Sequence, residues 1–433
     1  MKYRTIIFLS LVGLLFACKP EIDEFDASAG SADFSNYISV GNSLTAGYAD
    51  GALYASGQEN SFPSIMAQQF KTVGGGEFVQ PVVNSEYGVL PGKMVLGYSV
   101  NCLGETSLGP VPPTEGTPEG YGPVGYAVNN LGVPGAKTFH LLAPGYGNPA
   151  GVPVGMANPY YARFASADDA SVIGDAVGHD ASFFSLWIGN NDVLGYATTG
   201  GLGDTITGQL PFAGYMNAIL GSLTANGAKG VIANLPGVTG AAFFNTVPYN
   251  GLVLTDQAQV DGLNAAYAPL GITFNLGQNG FIIADATAPG GMRQILETEK
   301  VLLTTPGDSL RCAGWGSLKP IPEQYTLSDT ELANINAAID GYNATIKTMA
   351  DTYNLAFVDI NSYFEQVEAG VTYDGESFTV TYVTGGTFSL DGIHLSQKGY
   401  ALIANQFIMA INGKYGANVP QVSVVDYPGI VFP

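Results

Sequence analysis

The sequence predicts an α/β fold, doubly wound on a mainly parallel sheet, and three observations carry that expectation. A unit of short apolar strand, turn and helix recurs along the chain. The strands are apolar nearly throughout instead of alternating, as strands covered on both faces are. Two helices near the C-terminus carry one-sided apolar stripes that need a sheet to lie on.

In chain order, Lys2 and Arg4 precede the apolar run Ile6 to Ala17. That run is too short for a bilayer span, which takes ~20 residues, and reads as an export signal over residues 1–17. Its end, Leu15-Phe16-Ala17-Cys18, resembles a bacterial lipobox, in which the cysteine becomes the lipidated first residue. The other reading is an ordinary cleaved signal with an incidental cysteine. Residues 18–33 are polar, small and acidic and read as a flexible tether; acidity just after the cysteine also resembles the surface-export tag of some Gram-negative lipoproteins. The expected location is therefore outside the cytoplasm, on the outer membrane by a lipid anchor.

Tyr37 to Val40 is the first strand and runs into Gly41-Asn42-Ser43-Leu44. Phe183 to Ile188 runs into Gly189-Asn190-Asn191-Asp192, Gly230 to Leu235 ends at Pro236, and Leu355 to Ile360 is the last strand. Between the last two, Ser328-Asp329-Thr330-Glu331 is a capping box. Leu332, Ile335, Ile339, Tyr342, Ile346, Met349 and Tyr353 then recur at helical spacing, and Asn354 ends the helix. A second helix starts near Ser396 and carries Tyr400, Ile403, Phe407 and Ile411. These units bound one domain over residues 34–415, followed by a C-terminal tail, 416–433. Two stretches, near 50–129 and 237–322, show no readable periodicity and are expected to be long loop insertions, lids or rims; the other reading is that they hold elements the pattern hides.

Composition narrows the function classes. Charged residues are 12%, about half the usual share, and the formal net charge is −21 with only 15 Lys and Arg. Nucleic acid is excluded as a partner, because phosphate binding needs clustered cations. Aromatic residues are too abundant for disorder, with 24 Tyr and 22 Phe. Beyond Cys18 the remaining cysteines, Cys102 and Cys312, form an even pair, which in an exported protein suggests a disulfide; buried free thiols are the other reading. No CxxC and no His/Cys cluster is present, so no metal site is expected. Gly132 to Thr138 loosely echoes a phosphate loop, but Ala136 stands where glycine must precede the lysine, and Pro134 removes a donor.

Chemistry concentrates at strand ends. Ser43 follows a strand at the carboxyl edge, where open α/β sheets bind ligands. It lacks the second glycine of the G-x-S-x-G elbow. A serine hydroxyl needs a neighbouring base. Of three histidines, only His394 has a carboxylate, Asp391, three residues before it in a glycine-containing turn. That spacing lets the carboxylate curl back to one ring nitrogen and leave the other facing out. His140 and His179 read as structural. Asn191 follows a strand end, and Asn130 to Gly135 reads as a tight turn with unhindered N–H groups; both are oxyanion-donor candidates, although Asn and Gly are common in turns anyway.

Together, Gly41-Asn42-Ser43-Leu44, Gly135, Gly189-Asn190-Asn191-Asp192 and Asp391-Gly392-Ile393-His394 resemble the four ordered blocks of the SGNH, or GDSL, hydrolases. The resemblance spans about Phe34 to Tyr415. It implies a three-layer, flavodoxin-like α/β/α sandwich, an esterase or lipase without a cofactor, Ser43 as nucleophile, and Asp391 and His394 as the rest of the triad. It further implies an oxyanion hole from Ser43, Gly135 and Asn191. Asn42 departs from the usual aspartate of the signature, and Leu395 from the proline often found there. The expected partner is an ester, either of a lipid or short acyl group or, alternatively, of an acetylated glycan, and the expected state is a monomer. Rival classes are a non-catalytic glycan-binding lipoprotein on a hydrolase scaffold, and a solute-binding lipoprotein, which would need a duplication the sequence lacks.

Overall fold

A computed structural model of the chain describes residues 25–113 and 116–433. The export signal, the lipidation candidate Cys18 and the first part of the tether lie outside the described residues.

Five parallel strands form the central sheet: β1 (Tyr37–Gly41), β2 (Asn130–Gly132), β3 (Phe183–Trp187), β4 (Lys229–Ala233) and β5 (Ala356–Val358). Their order is β2-β1-β3-β4-β5, the flavodoxin-type order, with its switch point between β1 and β3. Ser39 pairs with Asn130 on one side of β1, and Tyr37 with Phe183 on the other. Every residue of β1 and β3 is buried, which is why these strands read as continuous apolar runs. The predicted three-layer α/β/α sandwich is what the chain forms.

The helices that matter to the site are, in chain order, α1 (Ser43–Ala46), α2 (Phe62–Lys71), α3 (Thr138–Leu142), α4 (Val172–Gly178), α5 (Asn191–Ala197), α6 (Gln209–Leu223), α7 (Ala242–Asn245), α8 (Gln257–Tyr267), α9 (Asp329–Thr352), α10 (Ile360–Ala369) and α11 (Gln397–Tyr415). α2 packs against α11, and Phe62 stacks on Phe407 at 4.7 Å above Trp187 of β3, 5.7 Å away. α6 packs against α3, α4 and α9, with Phe212 stacked on Tyr342 at 4.0 Å.

The predicted helix at Ser328 is α9. Its capping box forms in both directions, and Ile335, Ile339, Tyr342 and Ile346 are buried. The predicted strand Leu355 to Ile360 is shorter than expected: Asp359 accepts the Ser362 N–H and caps α10, so Ile360 is already helical. The turn expected over Asn130 to Gly135 is also corrected. Its first three residues are β2, and only the segment from Val133 onward turns, with Gly135 at φ +80°.

The insertions are not structureless. α2 lies inside the stretch near 50–129 yet is a core helix, with Phe62, Ile65 and Met66 fully buried. The first excursion therefore starts after Lys71, and it carries the hairpin Val95–Val100/Thr106–Val111. The second holds α8 and the antiparallel strand pairs Leu252–Leu254/Gly277–Asn279 and Ile282–Ala284/Met292–Gln294, around small apolar cores of its own. Cys102 and Cys312 are joined by a disulfide across 210 positions, which fastens the first excursion to the second. The tether reading fails for its last residues: Ser28 bridges Asn418, the Ser31 N–H donates to Tyr415, and Ala32 is buried. Backbone donors and acceptors of both segments satisfy each other there, so the chain is docked from Ser28 onward. Val419 and Val424, both buried, anchor the C-terminal segment.

Candidate active site

Ser43 opens α1 at the carboxyl end of β1, and the Asn42 side chain caps the helix by accepting the Leu44 N–H. Gly41 must lack a side chain, since a Cβ there would lie 2.4 Å from the Trp187 carbonyl oxygen of the neighbouring strand. The serine arrives from the carboxyl end of β1, inside the sheet, and the histidine from the loop before α11. They meet: His394 Nε2 lies 2.9 Å from Ser43 Oγ across 351 positions of sequence.

Asp391 completes the chain of contacts, with Oδ2 2.8 Å from His394 Nδ1. A carboxylate only accepts, so Nδ1 carries the proton and Nε2 is left to accept from the serine hydroxyl. Asp391 Oδ1 takes the N–H groups of Ile393 and His394 at 2.9 and 2.8 Å, and Oδ2 also takes the Gly51 N–H at 3.0 Å. Burial opposes its charge, but the His394 imidazole and these backbone donors outweigh burial and hold the carboxyl well below the usual carboxylate range. The Asp391 turn needs Gly392 at φ +73°, against Phe243 and Leu303.

Two further strand ends converge on the same edge. Asn191 opens α5, and its Nδ2 donates to the Ala136 carbonyl at 2.9 Å, next to Gly135. Asp192 is fully buried and accepts the Thr138 N–H and hydroxyl at 2.9 and 2.7 Å. Burial pushes the Asp192 carboxyl up, with the Thr138 bonds opposing. Its placement is that of a clamp between the α5 and α3 loops. Asn42 Nδ2 donates to Asn190 Oδ1 at 3.1 Å, so the departure at residue 42 ties the first block to the third. The N–H groups of Ser43 and Gly135 have no acceptor among the described residues.

Ser43, Asn191 and His394 border one apolar cavity of about 60 Å³, walled by Trp187, Val238, Phe364, Phe388 and Ile393. Gly135 is outside that wall. On the other side of the imidazole a row of rings leads outward: Tyr48 at 4.6 Å from His394, Tyr160 at 6.1 Å from Tyr48, and Tyr121 at 5.2 Å from Tyr160. His140 and His179 are elsewhere. His140 accepts the Lys137 N–H at the start of α3 and stacks on Tyr146, and His179 caps α4. Among the described residues no cluster of His, Cys, Asp or Glu could hold a metal ion, and no helix is long and apolar enough to cross a membrane.

Sequence reasoning passed over Tyr48, Asp50 and Gly51, which lie against the Asp391 turn, and the cavity residues Phe364 and Phe388. The Asp-Gly pair at 50–51 is a turn signal, but nothing local links it to a loop 340 positions away.

The model of one protein family, GDSL-like lipase/acylhydrolase, matches residues 37–407. No curated protein sequence matches the chain. Among solved structures, the chain is similar to an alpha/beta hydrolase enzyme from the metagenome of Lake Arreo, at 11% identity over 88% of this chain and 96% of that one, with a TM-score of 0.37. It is similar to an acetylxylan esterase from Geobacillus stearothermophilus at 11% identity, with coverage of 88% and 96% and a TM-score of 0.37. A lipase/acylhydrolase from Enterococcus faecalis follows at 12% identity, 89% and 98% coverage and a TM-score of 0.33.

Proposed function

The chain belongs to the GDSL-like lipase/acylhydrolase family and is an ester-hydrolysing serine enzyme, and from that premise we propose that Ser43 is its nucleophile and that short acyl groups are its substrates. The observation that carries the roles is the unbroken run of contacts from Asp391 through His394 to Ser43. Ser43 Oγ attacks the ester carbonyl as His394 Nε2 takes its proton. Asp391, held ionised, keeps the imidazole in the tautomer that can do so and stabilises the imidazolium. The N–H groups of Ser43 and Gly135 and the Asn191 amide stabilise the oxyanion. His394 then protonates the leaving alcohol, and water, deprotonated by the same imidazole, releases the acid.

The size of the cavity supports the short acyl group. At about 60 Å³ it holds only a few water-sized groups, each needing about 10–15 Å³. A long acyl chain would have to leave it. A second reading, an acetylated glycan, draws on the row Tyr48, Tyr160 and Tyr121, because aromatic faces pack against sugar rings. Export with a lipid anchor at Cys18 remains part of this proposal; the Cys102–Cys312 disulfide supports an oxidising compartment.

The test is hydrolysis of p-nitrophenyl esters. Ser43→Ala is expected to abolish turnover and labelling by a fluorophosphonate, and Asn191→Ala to lower kcat by about 10²–10³-fold. A Ser43→Ala enzyme that keeps the parental rate would sink the assignment. Comparing p-nitrophenyl acetate and palmitate with acetylated polysaccharide separates the substrate readings.

A further inference from the structure

The segment that follows α1 makes an unusual set of contacts. Asp50 has a left-handed backbone, φ +53°, a conformation that residues other than glycine adopt uncommonly. Its carboxylate is partly withdrawn from water and near a second carboxylate, Asp391. Burial is the main influence and raises the Asp50 carboxyl, with bonds from Tyr54 and Leu390 opposing and Asp391 adding to the rise. Strain, desolvation and like charge persist at one residue only where the surroundings over-determine it.

The surroundings are the catalytic turn. Asp50 Oδ1 accepts the Leu390 N–H at 2.9 Å, and the Asp50 N–H donates to Ser389 Oγ at 3.0 Å. Its Oδ2 accepts the Tyr54 hydroxyl at 2.6 Å, and its carbonyl accepts the Met94 N–H at 2.8 Å. The left-handed turn at Asp50 sends the next N–H, that of Gly51, onto Asp391 Oδ2 at 3.0 Å. That oxygen is the one that holds His394 Nδ1. Asp50 therefore grips the residue before Asp391 with its side chain and Asp391 itself through the adjoining peptide.

We infer that Asp50 is a positioning residue for the ester hydrolysis: with Tyr54 bracing it, it seats Asp391 so that the imidazole of His394 stays aimed at Ser43. The inference rests on the roles proposed for Ser43, His394 and Asp391. Misplacing a catalytic group by a fraction of an ångström slows the chemical step without changing how substrate docks, so the signature is in kcat.

The experiment measures kcat and KM on p-nitrophenyl acetate, per folded molecule, for Asp50→Ala, Asp50→Asn and Tyr54→Phe, together with the downfield proton resonance of the His394 Nδ1–H. Asp50→Ala is expected to lower kcat by about tenfold or more with KM within about twofold, and to shift or broaden that resonance. Asp50→Asn keeps an acceptor for Leu390 and tolerates the left-handed backbone, so it should recover most of the rate. If Asp50→Ala keeps the parental kcat and resonance, the inference is wrong. It is equally wrong if Asn and Ala are impaired alike, because the effect then lies in the charge and not in the seat. Should Asp50→Ala fail to fold, Tyr54→Phe decides: a kcat loss of about threefold or more at unchanged KM supports the inference, and a parental kcat overturns it. Ser43→Ala, assayed alongside, separates the premises, since activity in that variant defeats the proposed nucleophile whatever Asp50 does.

Discussion

His140 carries its burial as a liability toward acid. Burial, and then the nearby Lys137 ammonium, bring its imidazole down to about 4 from 6.5. The folded state thus binds this proton more weakly than the unfolded chain does. Its contribution to stability is fully present above about 6.5 and is lost as pH falls toward 4. His140→Gln, which can still accept the Lys137 N–H, is expected to flatten the fall of the urea midpoint across that window. Parallel midpoint curves for the two proteins would refute the linkage. At the same scale Asn42 shows why a departure from a family signature need not disturb the chemistry. One amide caps α1 and holds Asn190, two tasks in which a second acceptor oxygen would serve only the first. The block residues were legible because their signals are local: Ser43 and Asn191 each follow a strand end, and Asp391 and His394 share one turn. Asp50 was not, because its meaning lies in a partner 340 positions away.

At the scale of elements, α10 contributes a wall of the cavity beside Ser43. Phe364 lies on its buried face and Phe388, 6.0 Å away, closes the same side. Phe364→Ala is expected to admit longer chains and to raise the ratio of kcat/KM for hexanoate over acetate by about tenfold or more, a methylene in an apolar pocket being worth about 1–3 kcal/mol. An unchanged ratio would place the acyl chain elsewhere. α9 was readable because its stripe and capping box are both local. α2 was not read, although Phe62, Ile65, Met66 and Phe70 have helical spacing and Pro63, in the first turn of the helix, is a start signal. β2 escaped because three residues, Asn130 to Gly132, carry no apolar period, and only pairing with β1 makes them a strand.

For the whole molecule, the Asp391–His394 turn is held by the segment just after α1 and by the second excursion. Asp50 and Gly51 contact it from the segment after α1, which Met94 of the first excursion holds in turn by donating its N–H to the Asp50 carbonyl, and the Phe243 N–H donates to the Gly392 carbonyl from the second excursion. The Cys102–Cys312 disulfide joins those excursions beyond the site. Closing so long a loop constrains the unfolded chain, and loss of such a bond costs about 2–5 kcal/mol. Replacing both cysteines by serine is expected to lower the thermal midpoint clearly, and reductant to do the same to the parent while leaving the serine variant unmoved. A reductant effect of equal size on both would mean that the bond contributes nothing.

The order of strands and helices, the serine and amide groups at strand ends and the Asp-His pair in its turn are properties of neighbours within a few residues, and the amino-acid sequence by itself determined them. The sheet order, the meeting of Ser43 with His394 over 351 positions, the content of the two excursions and the hold of Asp50 on the catalytic turn were decided only by the tertiary structure. Hydrophobic period and capping are encoded where they act. Register between distant strands is encoded in surfaces that exist only once the sheet has closed the distance between them.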